Sequence, residues 1–100
     1  MSQALVDILD SMREEDGRPM RITSGFRTVP HNAQIGGVPN SAHLRGLAVD
    51  IACPDSAYRY KIITMALKRG VTRFEIAPAH VHIDIDPTLP KNVMVHLAKY

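Results

Sequence analysis

Leu5, Ile8, Leu9 and Met12 recur at the spacing of one helix face, and "EEDG" ends the pattern with a glycine. This predicts a helix over residues 2–15. "PMRIT" reads as a short strand with Pro19 at its first position, where a missing N–H is tolerated. From Ser24 to Gly46 no steady period survives among the Gly, Pro, Asn and Ser residues, so a long loop is expected, and such loops in compact domains usually carry function. "GLAVDIA" is the next strand. Asp55 or Ser56 is placed to cap a second helix, "AYRYKIITMALKRG", which closes at Gly70. "TRFEIA" and "AHVHIDID" read as two strands joined in a hairpin at Ala77 and Pro78, and the tail "KNVMVHLAKY" suits either a last strand or a short helix. With no repeat, low-complexity segment or linker, the expectation is one α+β domain over residues 1–100, with a small mixed or antiparallel sheet and two helices.

Composition narrows the function. The chain has 100 residues, 45% of them apolar, and a net charge of +2. Its basic residues are scattered, and there are five aromatics and no Trp, which argues against a nucleic-acid partner. Cys53 is the single cysteine, so neither a disulfide framework nor a thiolate metal cluster can form within the chain. The amphipathic, acid-containing start is neither a signal peptide nor a membrane span. Synthesis in the cytoplasm, no membrane insertion and a monomer are expected.

Chemistry concentrates on two strands. In "HVHIDID" side chains alternate faces, so Val81, Ile83 and Ile85 share one and His80, His82, Asp84 and Asp86 the other. A solvated face would ordinarily carry Lys, Thr or Glu; two histidines and two aspartates are a set that binds metal or moves protons. In "GLAVDIA" Asp50 projects between Ala48 and Ala52, on the face opposite Leu47, Val49 and Ile51. A carboxylate there needs a cation or several donors. One reading pairs it with Arg27 or Arg45; the other has it bind a metal with His43. Together, His43, Asp50 and His82 offer two imidazoles and a carboxylate, a set that suits zinc with an open fourth position. Cys53, three residues after Asp50, is expected to point into the core, which favours an open, catalytic site over a closed structural one.

"SGFRTVPHNAQIGGVPNSAHLRGLAVDI" and "GVTRFEIAPAHVHIDIDP" resemble the two signature regions of the M15 peptidases, the zinc D-Ala-D-Ala carboxypeptidase group, related in fold to the hedgehog signalling domain. The likeness runs from about Pro19 to Pro87, and Ser41, His43, Gly46, Ala48 and Asp50 carry its most specific motif. It implies zinc held by His43, Asp50 and His82, Arg27 holding the substrate's carboxylate or polarised carbonyl, and Ser41 at the pocket rim. Asn32 matches a loop asparagine that ties backbone together.

Amide hydrolysis at zinc also needs a group that takes a proton from water and returns one to the leaving amine. Glu75, Asp84 and His80 are the candidates. Glu75 precedes His82 on the neighbouring strand, Asp84 follows it by two residues and could instead orient its ring, and His80 matches a non-ligand histidine of hedgehog-like relatives. His31 and His96 read as structural or surface residues, and Asp86 as a turn residue before Pro87.

The resemblance implies a zinc metallopeptidase acting on peptidoglycan stem peptides, as a D,D-carboxypeptidase or a cross-link endopeptidase. It is similar to small bacteriophage lysis enzymes that reach the wall through a holin. The alternatives are a zinc-containing, non-catalytic module that binds wall peptides or a protein, and a phage structural component whose zinc stabilises a small fold.

Overall fold

The computed structural model describes residues 2–24 and 46–96, with Ser24 described by its backbone alone. The predicted loop, and with it Arg27, His31, Asn32, Ser41, His43 and Arg45, lies outside the described residues.

Helix α1 (Gln3–Asp16) begins where the Ser2 hydroxyl accepts the Leu5 N–H at 3.2 Å. It ends at Gly17, whose left-handed φ of 75° lets its N–H reach the Arg13 carbonyl at 2.9 Å. Leu5, Leu9 and Met12 are its buried stripe. Strand β1 is only Ile22–Ser24. The expected start at Pro19 is therefore corrected: Met20 turns into the core, and pairing toward the next strand begins with the Arg21 carbonyl, which accepts the Ala52 N–H at 2.9 Å. Strand β2 (Ala48–Ala52) follows, then helix α2 (Ser56–Lys68), capped by Asp55, whose Oδ1 accepts the Tyr58 N–H at 2.7 Å. Strands β3 (Arg73–Ile76) and β4 (His80–Asp84) form the expected hairpin, and the tail resolves as strand β5 (Val93–His96).

The sheet order is β1-β2-β4-β3-β5, antiparallel except for the parallel β3–β5 pair. This is an α+β fold with a mixed sheet. Val49, Ile51, Phe74, Ile76, Val81 and Ile83 turn one sheet face toward Leu5, Leu9, Met12, Ile62 and Met65 from the helices, all in one apolar core. Cys53 belongs to that core, and burial pushes its thiol pKa up, as expected of an inert cysteine. The helices are also joined at their ends, where Arg69 and Lys68 each reach Glu15 at 3.0 Å. Among the described residues no helix is long and apolar enough to cross a membrane.

Candidate active site

The opposite sheet face is polar, and its centre is buried. Register places Asp50 of β2 directly across from His82 of β4, and Glu75 of β3 on the other side of His82. One step along, Asp84 pairs with Ala48 on one side and Arg73 on the other; at the far end, His80 pairs with Ala52. Asp50 is 1% exposed, His82 4% and Asp84 2%, so these charges need partners inside the protein. Ala48 and Ala52 flank Asp50 on the same strand, as alternation along it predicts.

The partners are specific. His82 Nδ1 lies 3.0 Å from Asp50 Oδ1, and Nε2 lies 2.8 Å from Asp84 Oδ2. Burial alone would lower the imidazole's pKa, but the two carboxylate hydrogen bonds and the nearby Glu75 charge outweigh it and raise it to about 9. Asp84 is held in turn: Arg73 Nε donates to its Oδ2 at 3.0 Å, and the Asp86 N–H donates to its Oδ1 at 3.3 Å. The same guanidinium reaches Glu75 Oε2 at 3.3 Å and the Pro90 carbonyl at 3.2 Å. His80 Nε2 stands 3.9 Å from the second Asp50 oxygen, on the Asp50 side of the cluster.

Two groups of donor atoms present themselves to a metal. Glu75, His82 and Asp84 offer atoms within 4.8 Å of one another. That group, however, uses the nitrogen already bonded to Asp84, and Arg73 occupies both of its carboxylates. A metal there would have to displace a guanidinium held by three acceptors on two strands and a loop. On the other side, His82 Nδ1 and Asp50 Oδ1 are 3.0 Å apart, close to the ~3.3 Å between two ligands of one tetrahedral zinc. There the Asp84 contact to Nε2 is the carboxylate–histidine arrangement that fixes the ring and leaves Nδ1 for the ion. The donor chemistry of Asp50 and His82 fits zinc.

The structure thus brings Asp50, His80, His82, Asp84 and Glu75 onto one face. Glu75 and Asp84 are set on the Nε2 side of His82, and His80 on the Asp50 side. Asp86 sits in a turn, its Oδ1 accepting the Thr88 N–H at 2.9 Å and hydroxyl at 2.7 Å. His96 is exposed on β5. Arg73 was not singled out from the sequence. Alternation along "TRFEIA" puts it on the Glu75 face, but its place opposite Asp84 comes from the register of the hairpin, which turns at Pro78 and Ala79 with Ala77 bonded to His80.

A small α+β fold whose mixed sheet buries the His82 imidazole between two carboxylates holds a set of groups able to move protons or bind metal. A family model for peptidase M15 matches residues 1–86, and the chain belongs to that family. M15 members are zinc peptidases, so the chain is a peptidase with a peptide substrate. A search of curated proteins gave no match.

Proposed function

We propose that this peptidase is zinc-dependent and hydrolyses the stem peptides of peptidoglycan, as a D,D-carboxypeptidase or a cross-link endopeptidase. The observation that carries the zinc reading is the 3.0 Å approach of Asp50 Oδ1 to His82 Nδ1, with the other ring nitrogen tied to Asp84. The substrate reading rests on family membership and on the signature motifs. The likeness to phage lysis enzymes extends the proposal to the bacterial wall as the place of action.

His43, Asp50 and His82 would hold the ion. Bound zinc supplies Lewis acidity, which polarises a peptide carbonyl and lowers the pKa of water. Asp84 accepts the His82 Nε2 proton and so keeps Nδ1 as the coordinating atom, while Arg73 keeps Asp84 in place. We assign the proton-moving role to His80. It is supported by the position of its Nε2, 3.9 Å from Asp50, whereas Glu75 and Asp84 stand on the far side of the His82 ring. Arg27 would hold the substrate's carboxylate or polarised carbonyl and Ser41 the pocket rim, both on the strength of the resemblance.

The test is the metal content of the purified protein, followed by incubation with a muropeptide ending in D-Ala-D-Ala and with cross-linked peptidoglycan. One zinc per chain and release of D-Ala, or of uncross-linked peptides, is the expected result. A protein that takes up no zinc would overturn the metal assignment, and a zinc-loaded protein inert on both materials would overturn the substrate.

A further inference from the structure

We propose that the groove between the α1–β1 and β2–α2 connections is a subsite for a carboxylate carried by the substrate peptide, with Arg21 and Arg18 as its cationic walls. The proposal rests on the peptidase reading and adds a specificity to it.

The groove is a cavity of about 460 Å³ lined by Arg18, Pro19, Arg21, Ala52, Asp55 and Tyr58 among others. Its position ties it to the site. Ala52 lies two residues beyond Asp50 on β2 and pairs with His80, and the lining residue Ala79 immediately precedes His80. Two residues of strand advance ~6.6 Å, so the groove opens beside His80, about two residues of extended peptide away from Asp50 and His82.

Its chemistry selects an anion. Asp55, the acid in the lining, is committed to capping α2 through the Tyr58 N–H at 2.7 Å. Arg18 places its guanidinium carbon over the Tyr58 ring, 4.4 Å from the centroid, and reaches Asp16 through Nε at 3.5 Å. That contact holds the guanidinium beside the groove it lines without engaging its terminal N–H groups among the described residues. Arg21 is exposed and makes no side-chain hydrogen bond or ion pair among the described residues. Two guanidiniums at one mouth are suited to a carboxylate, which accepts paired N–H donors. Pro19, Ala52 and the Tyr58 ring supply apolar surface for the carbon chain that bears it. Stem peptides carry such carboxylates either free or amidated, so the groove would read that difference.

The experiment compares two muropeptides that differ only in whether the carboxylate two or three residues from the scissile bond is free or amidated. The wild-type enzyme is expected to show a KM for the free acid lower by about tenfold, the worth of one charge-assisted contact. Arg21→Glu should bring the two KM values together, and Arg21→Lys, which keeps the charge but not the paired donors, should preserve part of the difference. Equal KM values in the wild type, or a preference untouched by Arg21→Glu, would overturn the subsite while leaving the peptidase reading intact. If the wild type cleaves neither peptide, the substrate reading fails by itself, and an NMR titration decides the subsite. Shifts at the Arg21, Ala52 and Tyr58 amides with the free acid and not the amide would uphold it; no difference would overturn it.

Discussion

Asp16 and Asp84 both carry carboxylates with no exposed side-chain surface, yet they are neutralised in opposite ways. Asp16, at the end of α1, is met by Lys61 at 2.5 Å, by Arg18 at 3.5 Å and by the Tyr58 hydroxyl at 3.1 Å. Its two cations are long side chains that remain 44% and 60% exposed and can adjust their reach. Asp84 is met by His82 and Arg73, whose side chains are 5% and 15% exposed and whose backbones are fixed by the β3–β4 register. An adaptable pair of that first kind tolerates small shifts in the fold around it. The second kind transmits them directly to a ring nitrogen. Buried charge alone therefore does not mark a site; short side chains locked in register around one imidazole do.

The largest effect is expected from breaking the locked cluster at its centre. Asp50→Ala and His82→Ala should each abolish zinc uptake and reduce turnover by several orders of magnitude, read from metal stoichiometry and peptide release. Full zinc content in either variant would remove that residue from the ligand set. Next come the groups behind the ring. Asp84→Asn and Arg73→Met should weaken zinc binding by ~10–100-fold, the usual range for the partners of a ligating histidine. If Arg73→Met lowered the melting temperature with zinc affinity unchanged, Arg73 would be a structural ion pair of the Asp16 kind, and the contrast would collapse.

pH separates the two regions by sign. His82 has a folded pKa of about 9 against 6.5 for a free histidine, so in zinc-free protein its stabilisation is full below about pH 6.5. It is lost as pH rises through 9, by roughly 3 kcal/mol at most. Zinc competes for the same nitrogen, so its affinity should climb over that window. A zinc-free melting temperature that stays level from neutral to alkaline pH, relative to His82→Gln, would remove the doubly bonded imidazolium.

Much of this was legible from the sequence, for reasons that differ by element. Both helices announced themselves by apolar spacing and by Gly17 and Asp55 at their ends, because helix signals are local. The faces of β2 and β4 followed from alternation alone, which is why Asp50, His80, His82 and Asp84 could be grouped before any pairing was known. Register was not readable, and with it went Arg73: a lone strand arginine looks solvated until the hairpin sets it opposite Asp84. The parallel pairing of β5 was hidden too, since it depends on which sheet edge the tail reaches. Asp16 was hidden by its neighbours, because "REED" at a helix end reads as a water-facing run. Arg27, Ser41 and His43 rest on motif alone.

The smallest effect sharpens the comparison from the other side. Burial by itself would raise the Asp16 pKa, but the hydrogen bonds from Lys61 and Tyr58 and the charge of Arg18 overcome it and hold the carboxyl below its usual range. A depressed folded pKa contributes stability that is present above the unfolded value of 3.8 and is lost as pH falls through the folded one, the reverse of His82. Asp16→Asn keeps the shape and removes the charge; Lys61 and Arg18 can turn to water, so the loss should be only about 1–2 kcal/mol. Calorimetry near neutral pH should show that loss shrinking toward acid, with zinc affinity unchanged throughout. A fall in zinc affinity would mean that the helix-end cluster reaches the site through the groove they border, since Arg18 and Tyr58 belong to both, and the two buried carboxylates would then be one system.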